Sequence, residues 1–242
     1  MVTHPEKQPG MQHLDVHSIN LADFAVAVDV LGPGRRAIIW VQGCPHRCTG
    51  CITPHMQPFA IERERVSPAL LAERVLREMP IEGVTLVGGE PFSHAHQLAE
   101  MVNILRHTAP LSVVTYTGYT REDITAAHHP AWSELLAITD LLIDGSYIEE
   151  QHTDLLWRGS SNQRLHFLSQ RYQPLAPYVQ NARGHLLELS ITAQGRVRVI
   201  GIPERGFFVQ LTERLGTGGL VLDFDVVQSC EGGDGNKHWH GT

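Results

Sequence analysis

Three of the four cysteines in this chain stand close together in residues 43–51, which read GCPHRCTGC. Cys44, Cys48 and Cys51 have the spacing C-x3-C-x2-C, and thiolates this close in sequence can bind one inorganic centre. They are one ligand short of the four that a closed iron–sulfur or structural zinc site uses. A centre held by three cysteines leaves one metal with an open position, where chemistry can take place.

A second segment with chemical potential is the glycine-rich turn at residues 88–91. The strand predicted at residues 84–87, VTLV, runs directly into Gly88, Gly89, Glu90 and Pro91. Glycines let a backbone approach a bound ligand closely, and Glu90 offers a carboxylate to an ammonium group. In isolation, a sharp turn between a strand and a helix explains the same four residues equally well.

The elements around these segments alternate between strand and helix. We predict strands at 24–31, 37–41, 84–87, 111–116 and 140–143, and helices that begin near Ser67, Ser93 and Thr120 or end near Ile138. This alternation favours a parallel sheet. The cysteine loop, the turn at residues 88–91, Thr117 with Gly118, and Asp144 with Gly145 each follow a predicted strand. Ligands bind at that edge of a parallel sheet, so four segments are predicted to share one rim.

The C-terminal part has a different pattern. Residues 186–192 and 196–200 alternate as strands around Gln194 and Gly195, which predicts an antiparallel hairpin, and residues 204–215 predict an amphipathic helix. The predicted fold class is therefore α/β: a partial (β/α) barrel with a mostly parallel sheet, plus a C-terminal β-hairpin and helix. We divide the chain into an irregular lead-in (1–23), a core (24–183), an extension (184–230) and a disordered tail (231–242).

Composition narrows the function classes. The chain has 242 residues, is 42% hydrophobic and has a net charge of -7. These values fit one large domain, and the charge disfavours a general binder of nucleic acid or of membrane surfaces. We see neither a signal-peptide pattern nor an apolar run of membrane-spanning length. We therefore expect a cytoplasmic protein, where clustered cysteines bind metal more often than they form disulfides, and we interpret the distant Cys230 as a free thiol.

Zinc is the structural alternative for the cysteine loop. His55, four residues after Cys51, or His46 within the loop would complete a Cys3His set. Two considerations weigh against zinc. Structural zinc sites usually pair ligands from two knuckles, and this loop is predicted at the ligand-binding rim of the sheet.

The cysteine spacing after a first strand, joined by GGEP one crossover later, resembles the radical S-adenosylmethionine superfamily. The resemblance implies a [4Fe–4S] cluster bound by Cys44, Cys48 and Cys51, with S-adenosylmethionine on the fourth iron. It further implies that Gly88, Gly89, Glu90 and Pro91 hold the methionyl amino group. In that superfamily an electron from the cluster cleaves the sulfonium C–S bond and gives a 5′-deoxyadenosyl radical.

Five segments resemble a narrower group, the activating proteins of anaerobic ribonucleotide reductase. In chain order they read VQGCPHRCTGC, VGGEPF, TYTGYT, LLIDGSYIEE and WRGSSNQR. The resemblance implies abstraction of a hydrogen from a glycine of a glycyl-radical partner, with electrons from a flavodoxin- or ferredoxin-type donor. It also implies that Tyr116, Thr117 and Asp144 lie near the ribose or methionine of S-adenosylmethionine. A satisfied hydroxyl at Thr117 and a turn carboxylate at Asp144 are the plainer interpretations.

Some positions keep alternatives open. Gly50 stands before the third cysteine where many superfamily members have an aromatic residue, so Ile52 or Ile200 would supply apolar contact to adenine. Arg158, Asn162 and Arg164 would bind a carboxylate or the partner, or form an exposed capping cluster. Two other functions stay open: a related radical enzyme that modifies another peptide or a small metabolite, and a non-catalytic iron–sulfur or zinc module.

Overall fold

A seven-stranded sheet forms the centre of the computed structural model, which describes residues 17–191 and 197–216. In chain order the elements are β1 (Ile19–Val28), β2 (Arg35–Val41), β3 (Glu64–Val66), α1 (Pro68–Leu76), β4 (Gly83–Gly88), α2 (Ala95–Thr108), β5 (Ser112–Tyr116), α3 (Arg121–Ala126), α4 (Pro130–Ile138), β6 (Leu141–Asp144), β7 (Arg164–Phe167), α5 (Ala176–Val179), β8 (Leu187–Ile191), β9 (Val197–Gly201) and α6 (Phe207–Gly216). Short 3-10 turns lie at Pro54–Met56, Pro91–His94, Glu149–Gln151 and Gln173–Leu175.

The strand order in this sheet is β3-β1-β2-β4-β5-β6-β7. The four central strands β2, β4, β5 and β6 are parallel, while β1, β3 and β7 pair antiparallel at the two sides. Val41 pairs with Gly88, and Tyr116 pairs with Ile143. The carboxyl ends of the parallel strands therefore meet at one edge, as the predicted rim requires.

Local capping fixes where the helices begin. The Ser67 side chain accepts a hydrogen bond from the Leu70 N–H, and Pro68 occupies the first turn of α1, where its missing donor has no cost. Thr120 and Asp123 form a capping box at the start of α3, where the sequence predicts a helix to begin. These signals lie within four residues of each other in the sequence, which is why the sequence alone was sufficient to predict them.

The helices cover one face of the sheet. Alternate residues of the strands point to this face, among them Ile39 of β2 and Leu86 of β4, and they pack against the apolar sides of α1, α2 and α4. The residues between them, such as Ile38 and Trp40, point to the opposite face and form a second hydrophobic cluster with Ile200 and Tyr116. A sheet with helices on one face and a lined inner face is the predicted partial barrel, and the predicted fold class is confirmed.

The extension lies against this inner face. Strands β8 and β9 form the predicted hairpin, and Ile200 of β9 is only 3% exposed. Arg198 pairs with Asp23 at 2.9 Å, and the Glu188 carboxylate accepts the Val28 N–H at 3.1 Å, so both hairpin strands are attached to β1. The predicted turn at Gln194 and Gly195, Cys230 and the tail from residue 231 lie outside the described residues.

Several elements differ from the sequence prediction. Strand β1 begins at Ile19, inside the predicted lead-in, and ends at Val28 because Asp29 adopts φ +60°, a left-handed conformation incompatible with a strand. β3 was not predicted. Residues 158–164, for which no strand was predicted, lead through a turn into the antiparallel strand β7. Within the described ranges, no helix has both the length and the apolar character needed to cross a membrane.

Candidate functional site

The cysteine loop follows β2 at the carboxyl edge of the sheet. Its ends are fastened by backbone hydrogen bonds, from Gly43 N to Met56 O and from Cys44 N to Gln57 O, both 2.8 Å long. The buried Gln42 amide donates to the carbonyls of His55 and Pro58. These hydrogen bonds within the protein hold the two ends of the loop together without a metal.

The three thiols in this loop are free and partly exposed. Burial raises the pKa of Cys44 to about 11, while the backbone N–H groups of His46 and Arg47 oppose that rise and the charges of Glu90 and Cys51 add to it. Burial also raises the pKa of Cys48, against the N–H of Tyr147 and the hydroxyl of Ser146. Because burial disfavours the charged thiolates, a bound cation is required to stabilise them. N–H donors around sulfur are typical of iron–sulfur sites.

Three thiols from one loop are the donor set of an iron–sulfur cluster that leaves one iron open. In the part of the chain that the structure describes, no three His, Cys, Asp or Glu side chains converge on a point that would hold one metal ion. A zinc ion requires all its ligands around one point. A cubane cluster binds each thiolate to a different iron, so its cysteines stand further apart. His46, one of the two histidines considered for zinc, directs its ring to Glu90.

The glycine-rich turn after β4 lies directly against the cysteine loop. Gly89 N donates to Val41 O at 2.7 Å, and Glu90 N donates to Gly43 O at 2.8 Å. A Cβ atom at Gly89 would collide with the Gly43 backbone, so a glycine is required there. Two segments that lie far apart in the sequence are thus joined by backbone hydrogen bonds at the rim.

The Glu90 carboxylate points into the protein. The residue is 1% exposed and accepts hydrogen bonds from Phe92 N, Thr117 Oγ1 and Gly118 N, each at 2.9 Å, while His46 Nε2 lies 3.1 Å away. These protein donors occupy the lone-pair positions of both oxygens. Binding of a ligand's ammonium group by this carboxylate therefore stays a prediction. The next residue, Pro91, is buried.

Thr117 and Tyr116 differ in how their hydroxyls are used. Thr117 is buried, donates to Glu90 and accepts from Tyr119 N at 3.1 Å, which is the plainer of the two roles considered for it. Tyr116 lies on the inner face, where burial raises the pKa of its phenol. Its hydroxyl is buried and has no hydrogen-bond partner among the described residues. Of the two hydroxyls, only that of Tyr116 is without a hydrogen-bond partner in the described ranges.

Asp144 is fully buried at the end of β6. Burial alone would raise its pKa, but hydrogen bonds from His166, Arg164 and the Arg121 N–H hold that pKa well below its usual range. Arg164 also pairs with Glu122 at 2.5 Å. The structure thus places Asp144 in a structural ion-pair cluster, and a role toward ribose stays a prediction.

The remaining residues that the sequence predicted for the site are Arg158, Asn162, Ile200 and Ile52. Arg158 is 6% exposed and donates to the Gln180 carbonyl at 2.7 Å. Asn162 donates to the Ser146 carbonyl at 2.8 Å, and its own side-chain oxygen is buried without a partner in the described ranges. Ile200 lies under the inner face, whereas Ile52 is 39% exposed beside the cysteine loop.

An open cavity of about 520 Å³ adjoins the cysteine loop, a volume in the usual range for small-molecule sites. Its lining comes from the loops after β5 and β6, the start of α3 and the segment before β7: His46, Gly118, Tyr119, Thr120, Glu122, Asp123, Gly145, Ser146, Asn162 and Arg164. Sequence analysis missed Tyr119 and Ser146, and it considered His46 only for zinc. Their position after predicted strands was the available signal.

Fold and site together define a class of protein: an α/β half-barrel that carries a three-cysteine cluster loop at its carboxyl edge. A family described as a 4Fe-4S single cluster domain matches residues 30–166. The anaerobic ribonucleoside-triphosphate reductase-activating protein of Enterobacteria phage T4 is 32% identical over 145 residues, which are 56% of this chain and 86% of that protein. Its counterpart from Escherichia coli K12 is 30% identical over 153 residues, covering 58% and 94%.

The chain belongs to the family of anaerobic ribonucleoside-triphosphate reductase-activating proteins, within the 4Fe-4S single cluster domains. The resemblance noted in the sequence is confirmed. Among solved structures, QueE from Escherichia coli matches 43% of this chain and 53% of its own, with 22% identity and a TM-score of 0.35.

Proposed function

We propose that this protein is a radical S-adenosylmethionine enzyme that activates a glycyl-radical enzyme such as an anaerobic ribonucleotide reductase. The family membership supports this proposal. The observation that carries it is the pair of backbone bonds from Gly89 to Val41 and from Glu90 to Gly43. They hold the three-cysteine loop and the glycine-rich turn together at the ligand-binding edge of the sheet.

When bound, a reduced [4Fe–4S] cluster would supply the electron for cleavage of S-adenosylmethionine, and so the chemistry for removing a hydrogen atom from the substrate. Cys44, Cys48 and Cys51 would hold the cluster. Gly89, whose backbone packs against that of Gly43, would present backbone atoms and no side chain to the methionyl group. The protein's remaining tasks are to orient these groups and to exclude water.

Other residues have supporting tasks. Tyr116 offers a phenol on the inner face, and Ile200 covers that face with apolar surface. Thr117 and Asp144 fix the ends of β5 and β6 through their own hydrogen bonds. Residues 24–183 would form the catalytic core and residues 184–230 an accessory extension.

The proposed partners follow from the same chemistry. The hydrogen donor would be a glycine of a partner protein, and the electron would come from a flavodoxin- or ferredoxin-type protein in the cytoplasm. We expect neither nucleic acid nor a membrane among the partners, in keeping with the net charge of -7.

The extension favours a second candidate, a related radical enzyme with a different peptide or small-molecule substrate. The relatives from phage T4 and E. coli K12 match 145 and 153 residues, which are 86% and 94% of their own length but 56% and 58% of this chain. The hairpin that lies on the inner face, with Ile200 beside Tyr116, falls beyond the family match to residues 30–166. Such an addition would reshape the space available to a substrate.

One anaerobic experiment tests the function. The protein is reconstituted with iron and sulfide, reduced with dithionite and given S-adenosylmethionine, and 5′-deoxyadenosine is measured. Product that disappears in a Cys48→Ala variant supports the radical activity. A reconstituted protein that binds zinc alone, or a cluster that never yields product with candidate partners present, contradicts it. A glycyl-radical signal on an added reductase separates the first candidate from the second.

A further inference from the structure

The Glu90 carboxylate connects three segments of the site. It accepts from Phe92 N in its own turn, from Thr117 Oγ1 and Gly118 N after β5, and lies 3.1 Å from the His46 ring in the cysteine loop. Because the residue is 1% exposed, each contact is shielded from water. A carboxylate with these hydrogen bonds holds the three segments of the site together.

The His46 ring is held on several sides. Its Nε2 faces Glu90, its Nδ1 lies 3.4 Å from Ser146 Oγ, and its plane meets the Tyr119 ring edge-on with centroids 4.4 Å apart. A Cβ atom at Gly118 would collide with the imidazole, so that glycine provides the space for the ring. The side chain is 15% exposed, although it comes from a loop whose neighbouring residues Pro45 and Arg47 are exposed.

We propose that Glu90 and His46 form a clasp that keeps the cysteine loop closed against the turns after β4 and β5. His46 stands between Cys44 and Cys48, so fixing its ring fixes the stretch between two of the proposed ligands. In this role both are positioning residues: Glu90 holds the loop and does not bind the ammonium group of S-adenosylmethionine. The inference rests on the proposed cluster site and adds the device that keeps it assembled.

The physical consequence concerns opening of the loop. A thiol inside a closed loop exchanges with solvent, or releases its metal, only when the segment opens locally. Hydrogen bonds to a charged, buried carboxylate are among the stronger ones, so losing one favours the open form. Removing either member of the clasp should therefore expose the same thiols, Cys44 and Cys48.

The test compares His46→Phe, Glu90→Gln and the double variant with the wild type. Phenylalanine keeps a ring against Tyr119 and Gly118 but removes the N–H donor, and glutamine keeps the shape of glutamate but removes its charge. The matched control is His96→Gln, since His96 is a surface histidine of α2 with a 61% exposed side chain. Far-UV circular dichroism checks that each variant is folded.

Two rates are measured. The first is maleimide labelling of Cys44 and Cys48 in the metal-free protein, located by peptide mass spectrometry. The second is loss of the cluster's visible absorbance after addition of an iron chelator. We expect each single variant to raise both rates about tenfold, with His96→Gln at the wild-type rate. The double variant should be no faster than the faster single variant, because both changes act on the same contact between His46 and Glu90.

Opposite results would overturn the clasp. If folded His46→Phe is labelled at the wild-type rate, the ring does not hold the loop. Gly118→Ala, which displaces the ring, is a second variant for this test, and labelling of it at the wild-type rate would contradict the clasp as well. Equilibrium dialysis of S-adenosylmethionine against the cluster-loaded Glu90→Gln protein would also distinguish a positioning role of Glu90 from a ligand role. Binding of S-adenosylmethionine weakened about tenfold with unchanged iron retention would make Glu90 a ligand. Because labelling needs no cluster, failure of the proposed function leaves this test intact.

Discussion

Asp144 and Arg164 face each other across β6 and β7, with Asp144 Oδ2 2.6 Å from Arg164 Nη2. The aspartate is fully buried, while the arginine side chain is 44% exposed and continues to Glu122. This pair, reinforced by His166 at 3.0 Å, joins the edge strand to the sheet at the rim. Its charge is needed for that junction whether or not a ligand is bound.

We therefore expect Asp144→Asn to destabilise the metal-free protein by about 2 kcal/mol at pH 7, because a buried charged acceptor is lost and Arg164 can still reach solvent. The pKa of Asp144 is lower in the folded protein than its unfolded value of about 4. Its contribution is thus complete above that value and decreases as the pH falls through the folded pKa. Urea unfolding should show a constant difference between pH 7 and pH 5 that shrinks below about pH 4. A variant of unchanged stability that binds S-adenosylmethionine weakly would support the ligand role.

Replacing Cys44, Cys48 or Cys51 by alanine should abolish the visible iron–sulfur absorbance after anaerobic reconstitution, because two thiolates and an open loop cannot hold a cubane cluster. The measurement is an absorbance spectrum near roughly 400 nm together with iron and sulfide analysis. Cys230→Ala is the matched control and should load normally. A full cluster in any of the three loop variants would disprove that ligand assignment.

Ile200→Ala tests the attachment of the extension. The side chain is 3% exposed against the inner face, so its truncation should cost about 2 kcal/mol and should speed amide hydrogen exchange in β8 and β9. Ile191→Ala in the same hairpin is the control, since Ile191 is 74% exposed and should change stability by less than about 0.5 kcal/mol. Equal effects of the two changes would mean that the hairpin does not pack on the sheet.

Arg36 lies near the start of β2, at the end of the sheet opposite the cysteine loop. It is 1% exposed and donates to Thr85, Ser112, Tyr172 and backbone carbonyls, including Val84 O at 2.5 Å. Arg36→Met should cost about 3 kcal/mol in urea unfolding because it leaves buried acceptors unpaired. Its neighbour Arg35, whose side chain is 42% exposed, should lose less than about 1 kcal/mol on the same change. A tolerant Arg36 would indicate that water replaces the guanidinium.

The sequence predicted most of the core because its signals are local. Ser67 with Pro68, and Thr120 with Asp123, mark helix starts within a few residues, and alternating apolar residues mark the parallel strands. The strands β3 and β7 were missed for the opposite reason. Each is short and is a strand only because it pairs with β1 or β6, and such pairing is not written in its own three or four residues.

The sequence by itself determined the type of cofactor site: the spacing of Cys44, Cys48 and Cys51 and the turn at Gly89 required no coordinates to interpret. Only the tertiary structure decided which way the polar side chains face. Glu90 and Asp144 each follow a strand at the rim, where a sequence argument assigns them to a ligand, yet both carboxylates turn inward to protein donors. Residue order fixes the position of a side chain along the chain. Its direction depends on donors such as His46 and Arg164, which come from other loops and strands.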